Sequence, residues 1–307
     1  MKIETFNIVI GDAKCNAKCP FCTTIMTGFE EIPQRHAEGS RINEINLKKA
    51  CKLACLGSAT TVLLTGKGEP TLYPNEITEY MERLWRWNFP IVELQTNGII
   101  FGKMAEGKEV KNYYSVILED WYEKGLNTIA ISAVHYDKGL NKLISDDCPD
   151  LAKTIKFLHC FRFAVRLNII MLKNFIDSPK KVFELVDWCR DNDVDQLTIR
   201  PVVKPESSEN LQAASFTNNN CLGKEVCDDI KYALLLKGRR LLSLDHRIIV
   251  DINGQNVCVA EDSIGINRLN PPQGNGKTNY RTLIFYSNGL LTYDWQLKGA
   301  KILRGRE

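Results

Sequence analysis

The sequence has no long apolar run and no strong excess of charge of one sign. No stretch approaches the roughly 18 apolar residues that a membrane-spanning helix needs, and the first fifteen residues lack the pattern of a secretory signal peptide. The 40 basic and 37 acidic side chains leave a formal net charge of +3, which does not by itself indicate a nucleic-acid partner. We therefore expect a cytoplasmic protein with no membrane partner, and a nucleic-acid partner is disfavoured.

Internal repeats, low-complexity tracts and the cysteine pattern of a secreted scaffold are also missing. The 307 residues include eleven cysteines, and in a reducing cytoplasm these do not form a disulfide framework. Four of them occur in helix-like patterns among apolar residues, which predicts that they are ordinary core residues: Cys51, Cys55, Cys160 and Cys189. With 44% hydrophobic and 25% charged residues, the composition is that of a globular protein with a substantial core.

Short apolar runs alternate with amphipathic segments over the first two thirds of the chain. The runs predict six strands, at 6–11, 61–66, 91–98, 128–134, 163–172 and 196–202. Between them, the helical patterns lie at 46–59, 75–87, 113–125, 151–161 and 178–192. Strands rich in Val, Ile and Leu with helical connections are typical of a parallel sheet covered on both faces. We predict an α/β fold, a partial (βα)6 TIM-like barrel, although an open doubly wound sheet produces the same alternation.

The pattern changes after about residue 203. Residues 205–220 are polar and linker-like, and 223–240 predict a helix. Two segments, 246–262 and 281–295, each carry Asn-Gly between strand-like runs, which is a hairpin signal. The sequence thus predicts a barrel over 1–204, a linker and helix over 205–245, and a small C-terminal β-rich cap over 246–307.

Three cysteines lie within eight residues near the start of the chain, in the segment CNAKCPFC. Cys15, Cys19 and Cys22 follow the first predicted strand and have mostly polar neighbours, unlike the cysteines of a core. Their C-x3-C-x2-C spacing lets three thiolates reach one metal centre, whereas a closed zinc site and a [4Fe–4S] cluster usually take four protein ligands. Such a site either takes a fourth cysteine from a distant part of the chain or leaves one coordination position without a protein ligand. A redox pair or a chance cluster is the other interpretation.

Polar residues alternate with apolar ones along four of the predicted strands. The polar set comprises Glu93, Gln95 and Asn97, then Ser132, then Arg166 and Asn168, and finally Gln196, Thr198 and Arg200. Within each strand the set shares one face, because successive side chains of a strand point to opposite sides. The apolar alternates are needed to bury the helices, so we predict that the polar face is the barrel interior. A solvated face is the alternative.

The cysteine segment resembles the C-x3-C-x2-C signature of radical S-adenosylmethionine (radical SAM) enzymes, in which an aromatic residue, here Phe21, usually precedes the third cysteine. A second segment, TGKGEPTL at 65–72, is similar to the GGEP motif of that family and also follows a strand. Lys67 replaces the first glycine of GGEP, with Gly66 just before it. The resemblance covers roughly residues 6–203.

This resemblance implies cofactors and the residues that hold them. The three cysteines of the motif would hold a [4Fe–4S] cluster whose fourth iron binds the amino and carboxylate groups of SAM. The implied SAM-binding set is Phe21, Gly66, Gly68, Glu69, Asn97, Ser132, Arg166 and Asn168. In that set Glu69 and its neighbouring backbone accept hydrogen bonds from the SAM amino group, while the strand residues contact its ribose and carboxylate. Gln95 and Arg200 are candidate substrate contacts, and a structural ion pair with Glu93 or another acid of the barrel interior is the alternative for Arg200.

The implied activity is reductive cleavage of SAM to a 5′-deoxyadenosyl radical that removes hydrogen from a substrate, with an electron donor such as flavodoxin or ferredoxin as partner. Cys221, Cys227 and Cys258 form no close C-x2-C pair, which disfavours an auxiliary cluster. We therefore expect a small nucleoside-, nucleotide- or sugar-like substrate, with a peptide or RNA as the alternative. A non-catalytic metal- or cluster-binding module is the alternative of another class, and it leaves the GEP turn and the polar face unexplained.

Overall fold

The computed structural model of the chain describes residues 2–26, 42–111, 115–203, 208, 210–244, 247–260, 279–295 and 299–305. Twelve strands of these described residues form one sheet: β1 (Lys2–Val9), β2 (Thr61–Thr65), β3 (Ile91–Thr96), β4 (Thr128–Ala133), β5 (Ala164–Met171), β6 (Gln196–Pro201), β7 (Arg239–Leu244), β8 (Arg247–Ile252), β9 (Gln255–Ala260), β10 (Asn279–Phe285), β11 (Leu291–Thr292) and β12 (Lys301–Leu303). In the described part of the chain, no helix has both the length and the apolar character needed to cross a membrane.

Ten α-helices accompany the sheet. They are α1 (Thr23–Met26), α2 (Glu44–Leu56), α3 (Pro74–Leu84), α4 (Ile99–Ala105), α5 (Ser115–Glu123), α6 (Lys138–Lys142), α7 (Leu151–Cys160), α8 (Pro179–Asp191), α9 (Leu211–Asn220) and α10 (Lys224–Lys237) within the described residues. Two 3-10 turns, Pro70–Leu72 and Trp85–Trp87, precede and follow α3.

The six strands predicted from the apolar runs form the centre of the sheet, in sequence order and parallel to one another. Helices of the five connections cover the outer face with a continuous apolar core. The prediction of an α/β fold with a partial TIM-like barrel is therefore confirmed. Strand β1 begins earlier than predicted, at Lys2, because its first residues also pair with β10.

The C-terminal region contributes strands to both edges of this parallel core. Strand β9 pairs in parallel with β6, and β10 pairs in parallel with β1. Both predicted hairpins are present, since β8–β9 and β10–β11 are antiparallel pairs. The first turns at Asn253 and Gly254, both of which have positive φ. The division of the chain into three regions stays a prediction.

Local signals explain where several helices begin and end. The Ser178 side chain caps α8, and Pro179 occupies its first turn, as the sequence indicates. Gly125 follows α5 with a φ of 97°, a conformation that glycine adopts without strain.

Two of the four cysteines that we predicted to lie in the core do so, namely Cys51 and Cys189. The prediction was wrong for Cys55 and Cys160, which are exposed. Both side chains lie on helix faces that are exposed to solvent. When both faces of a helix contain apolar residues, its sequence alone does not show which face packs against the rest of the protein and which is exposed.

The segment 205–220, which its composition presents as linker-like, contains helix α9. Asn210 caps the helix by accepting a hydrogen bond from the Ala213 amide, at 2.9 Å. Ala213 and Thr217 are buried, so the helix is held by packing on the rest of the molecule. Its sequence is polar because one narrow face makes all of these contacts.

Candidate active site

The cysteine segment forms an irregular loop between the end of β1 and the short helix α1. The Cys22 amide donates to the Cys19 carbonyl at 3.1 Å, and the Cys22 carbonyl accepts from the amides of Ile25 and Met26. Cys15 is exposed, while Cys19 and Cys22 are partly buried. The turn at Cys19–Cys22 thus leads directly into α1, and the three thiols stay at the end of the first strand.

The GEP turn pairs with this loop through the backbone. The Gly68 amide donates to the Asp12 carbonyl at 3.0 Å, and the Glu69 amide donates to the Lys14 carbonyl at 2.9 Å. A Cβ atom on Gly68 would lie 2.0 Å from the Lys14 oxygen, so only glycine permits this approach. At Gly66 the corresponding contacts are looser, at 3.1 Å or more. The two motifs quoted from the sequence are therefore parts of one structure.

The Glu69 carboxylate is buried and connects the GEP turn to the end of β3. Its Oε1 accepts hydrogen bonds from the Thr71 amide and hydroxyl and from the Thr96 hydroxyl, at 2.6–3.0 Å. Its Oε2 accepts from the Asn97 amide at 2.8 Å. Burial raises the pKa of this carboxyl, and these hydrogen bonds oppose the shift. Oε2, with one such donor, keeps capacity for a further donor.

Asn97 continues the connection back to the cysteine loop. Its Nδ2 donates to Asn16 Oδ1 at 2.7 Å and lies 3.8 Å from the sulfur of Cys15. Its Oδ1 accepts from the Ile99 amide at the start of α4. Asn97 therefore sits where the third strand, the GEP turn and the first cysteine meet.

The three thiols are close enough to influence one another. Burial, with smaller contributions from the neighbouring thiols of Cys22, Cys15 and Cys148, raises the pKa of Cys19 to about 12. Burial favours the protonated form of Cys19, and binding of a metal centre displaces the thiol proton. Three thiols held together in this way suit a cluster site.

Across the described residues, no group of three or more Cys, His, Asp or Glu side chains is spaced to hold a single metal ion. A [4Fe–4S] cluster makes a different demand, because each thiolate binds its own iron and the sulfurs stand farther apart than the ligands of one ion. The donor set of Cys15, Cys19 and Cys22 therefore fits a cluster by its chemistry and its number.

A cavity beside the loop brings together one predicted cluster ligand and three residues of the predicted SAM-binding set. Cys19 lines it together with Phe21, Asn97 and Ser132. Val134 and Ile170 contribute apolar surface from the ends of β4 and β5. A mostly apolar cleft with a few polar groups is the usual form of a small-molecule site.

The remaining residues of the predicted SAM-binding set do not line this cavity. Asn168 is buried on β5, next to Ser132 in strand register, and its Oδ1 has no hydrogen-bond partner. A buried acceptor of this kind needs a donor, which a bound ligand could supply. Asn168 thus lies beside the cavity with unused hydrogen-bonding capacity.

Arg166 is bound by other residues of the barrel interior. Its Nη1 lies 2.6 Å from Oε2 of the fully buried Glu93, and its Nε and Nη2 both donate to Gln196 Oε1. Gln95 completes the group by donating to Glu93 Oε1 at 3.1 Å. These contacts place the polar strand faces in the interior, as predicted. They give Arg166 a structural role, and its contact with SAM stays a prediction.

The ion pair with Glu93, which the sequence analysis considered for Arg200, is thus formed by Arg166. Arg200 lies on β6 opposite Ile170. Burial raises the pKa of the Cys258 thiol, and the positive charges of Arg247, Arg166 and Arg200 oppose that shift. Cys258 belongs to β9 and lies in register with Thr198 of β6. Cys221 directly follows α9, and Cys227 lies in the first turn of α10.

Sequence reasoning did not single out several residues that the fold brings to the site. Phe216 of α9 stacks on Phe21 with ring centroids 6.3 Å apart, and it covers the cysteine loop from the C-terminal side. Cys148 lines the same cavity as Cys19, and its thiol donates to the Ser145 carbonyl at 2.8 Å. No spacing in the sequence indicates either contact, because both join segments far apart in the chain.

The close approach at Gly68 gives a testable prediction. In Gly68→Ala the new methyl group would overlap the Lys14 carbonyl, so the turn and the cysteine loop must separate. We expect a loss of about 1–3 kcal/mol in the free energy of unfolding and a reduced capacity to bind iron. Urea denaturation and iron analysis after anaerobic reconstitution measure both. Gly223→Ala is the matched control, since a Cβ there meets no atom within 4 Å. Equal behaviour of the two variants would contradict the proposed geometry.

The interior ion pair gives a second prediction. Arg166→Met leaves the buried Glu93 carboxylate without its cation, which costs about 3–5 kcal/mol in the free energy of unfolding. Removing both charges in Arg166→Met/Glu93→Gln leaves no isolated charge, so the double variant should be more stable than Arg166→Met alone. Urea denaturation of both variants tests this. A double variant that is less stable than the single one would show that the pair does not act as a unit.

No protein-family model matches the chain, and no curated protein matches it. Solved structures do. SuiB from Streptococcus suis bound to the precursor peptide SuiA aligns with a TM-score of 0.57 and 16% identity, over 100% of this chain and 62% of that one. SuiB bound to S-adenosylmethionine aligns with a TM-score of 0.55 and 16% identity, over 99% of this chain and 61% of that one.

Native anSMEcpe with bound AdoMet aligns with a TM-score of 0.56 and 13% identity, over 98% of this chain and 77% of that one. The chain spans about three fifths of the length of SuiB. Sequence identities of 16% or less with these three structures mean that the likeness is one of fold. The fold of this chain is the fold of the radical SAM enzymes.

Proposed function

We propose that this chain is a radical SAM enzyme that binds a [4Fe–4S] cluster through Cys15, Cys19 and Cys22 and cleaves SAM reductively. The observation that carries the proposal is the backbone pairing of the GEP turn with the cysteine loop, at Gly68 and Glu69. A cysteine trio alone fits many metal-binding modules. A trio joined to a buried carboxylate and to a cavity at the ends of parallel strands fits a site that holds a cluster and a small cofactor together.

Bound at this site, the reduced cluster would supply one electron to the sulfonium of SAM. SAM would in turn supply methionine and a 5′-deoxyadenosyl radical, which takes a hydrogen atom from the substrate. The chain itself supplies ligands, orientation and shielding from water. The three cysteines are one ligand short of a closed site, which leaves a position for the amino and carboxylate groups of SAM. Glu69 Oε2 and the backbone of the GEP turn are the acceptors for the amino group.

The cavity residues orient the rest of the cofactor. Phe21 offers an aromatic face, Ser132 a hydroxyl group, and Asn168 a buried acceptor without a partner. Gly66 has no side chain, so the backbone of the turn can approach the bound cofactor closely. Phe216, stacked on Phe21, reduces the access of water to the cysteine loop.

The polar interior of the barrel supports a small polar substrate. Gln95, which donates to Glu93, and Arg200 belong to the polar strand faces, and their side chains are hydrogen-bond donors of the kind that nucleosides, nucleotides or sugars require. An arginine in such a position favours a substrate that carries a carboxylate or a phosphate. An electron donor such as a flavodoxin or a ferredoxin completes the set of proposed partners.

A second candidate is modification of a peptide. One observation favours it, namely that the structure of SuiB with its precursor peptide aligns over the whole of this chain. A peptide would extend beyond the barrel interior, whereas a small metabolite would be contained within it. The two candidates share the same cluster, the same cofactor and the same first chemical step.

Loss of one cysteine tests the proposed cofactor site. Cys19→Ala removes one of three thiolates, so we expect it to lose the cluster and all SAM cleavage. Absorbance near 400 nm, iron content and the formation of 5′-deoxyadenosine with dithionite as reductant measure this. Cys160→Ala is the control, because that cysteine is exposed on α7 and distant in sequence from the loop. A colourless protein that binds zinc and forms no 5′-deoxyadenosine would favour the non-catalytic module.

Cys148 provides a sharper form of the same test, because it lines the cavity next to Cys19. If the cluster has only three protein ligands, Cys148→Ala retains four irons per chain and the cluster spectrum. If Cys148 were a fourth ligand, the variant would lose iron as Cys19→Ala does. The second result would contradict an open iron at this site.

Isotope transfer identifies the substrate class. We expect deuterium from one labelled nucleoside, nucleotide or sugar to appear in 5′-deoxyadenosine, because the radical would take its hydrogen from the bound substrate. The measurement is mass spectrometry of 5′-deoxyadenosine from parallel incubations with small metabolites and with deuterated peptides. Transfer only from a peptide would replace the small-molecule proposal with the second candidate.

A further inference from the structure

Lys67 lies at the position where the GEP turn departs from the GGEP pattern, between Gly66 and Gly68. Its backbone is held on two sides. The Thr24 hydroxyl, from the helix that follows Cys22, donates to the Lys67 carbonyl at 2.7 Å. The next residue, Gly68, is bonded to the segment that precedes Cys15. Lys67 is therefore fixed between the two ends of the cysteine loop.

The Lys67 side chain contacts an aromatic ring from the C-terminal region. Its Nζ lies 5.4 Å from the ring centroid of Trp295, within the range of a cation–π contact. Burial lowers the pKa of Lys67, and the Cys22 thiolate is the group that opposes this shift. The ammonium group is thus partly removed from water, and the Lys67 backbone is held by Thr24, two residues after the proposed cluster ligand Cys22.

Among the residues that the structure describes, no acid neutralises the charge of Lys67. Within the described residues, no carboxylate forms a salt bridge with its ammonium group, and none is among the groups that shift its pKa. A Trp ring holds a cation through its quadrupole and leaves the net charge in place. A carboxylate in the position of Trp295 would hold the lysine equally well but would cancel its field at the cysteine loop.

We propose that Lys67 is a positioning residue for electron transfer, whose fixed positive charge beside Cys22 raises the reduction potential of the cluster. The inference rests on the proposed function, since it requires a cluster on the three cysteines. Reduction adds one negative charge to the cluster, and a partly buried cation stabilises that charge more than a solvated one does. The cluster would then accept one electron from a weaker donor than it could use without Lys67.

The test is the midpoint potential of the reconstituted cluster, followed by EPR during titration with dithionite in the absence of SAM. Lys67→Met removes the charge and keeps an apolar side chain that can contact Trp295. We expect reduction to become less favourable by about tenfold, which is about 59 mV for a one-electron couple. Lys67→Arg keeps the charge and should keep the wild-type potential. Lys49→Met removes the same charge from an exposed position on α2 and should leave the potential unchanged.

The outcomes separate this inference from the proposed function. If the wild-type chain binds no cluster, the proposed function fails. If it binds a cluster and Lys67→Met has the wild-type potential with a full iron content, only the role of Lys67 fails. Should Lys67→Met not take up iron, Lys67→Gln serves instead, since it retains hydrogen bonding without the charge. Equal potentials for Lys67→Gln and Lys67→Arg would overturn the inference.

Discussion

Two backbone hydrogen bonds, from Gly68 to Asp12 and from Glu69 to Lys14, are the contacts on which the proposed site depends. They bring the loop after the first strand against the turn after the second. This proximity requires that residue 68 has no Cβ, because the Lys14 carbonyl occupies the space where one would be. Each bond contributes only about 1 kcal/mol to stability. Their importance is geometric, since they set the distance between the thiols and the buried carboxylate.

The buried polar groups around this contact are linked in two networks. Glu69, Thr96 and Asn97 join the turn to the third strand, and Glu93, Arg166 and Gln196 join three strands deeper in the barrel. Polar groups in such an interior must satisfy one another, because an unpaired one is costly in a medium of low polarity. The same reasoning makes the unpartnered Asn168 Oδ1 informative, since it marks where a ligand could complete the network.

The C-terminal third of the chain completes the site. Its strands pair with β1 and β6, its helix α9 stacks Phe216 on Phe21, and its last hairpin carries Trp295 to Lys67. These contacts explain why a segment with linker-like composition is ordered. They also place the rings of Phe216 and Trp295 against residues of the two motifs, at positions that the motifs themselves do not include.

Local periodicity in the sequence predicted the six-stranded parallel core and the shared polar face of four strands, while the two motifs were identified through their resemblance to those of radical SAM enzymes. It did not determine which arginine pairs with Glu93, since Arg166 and Arg200 have the same parity and differ only in strand order across the sheet. Nor did it indicate that α9 covers the loop, that Cys148 lines the cavity, or that Cys55 and Cys160 face outward. Those features depend on contacts between segments distant in the chain, and only the tertiary structure decides which of the many possible contacts are made.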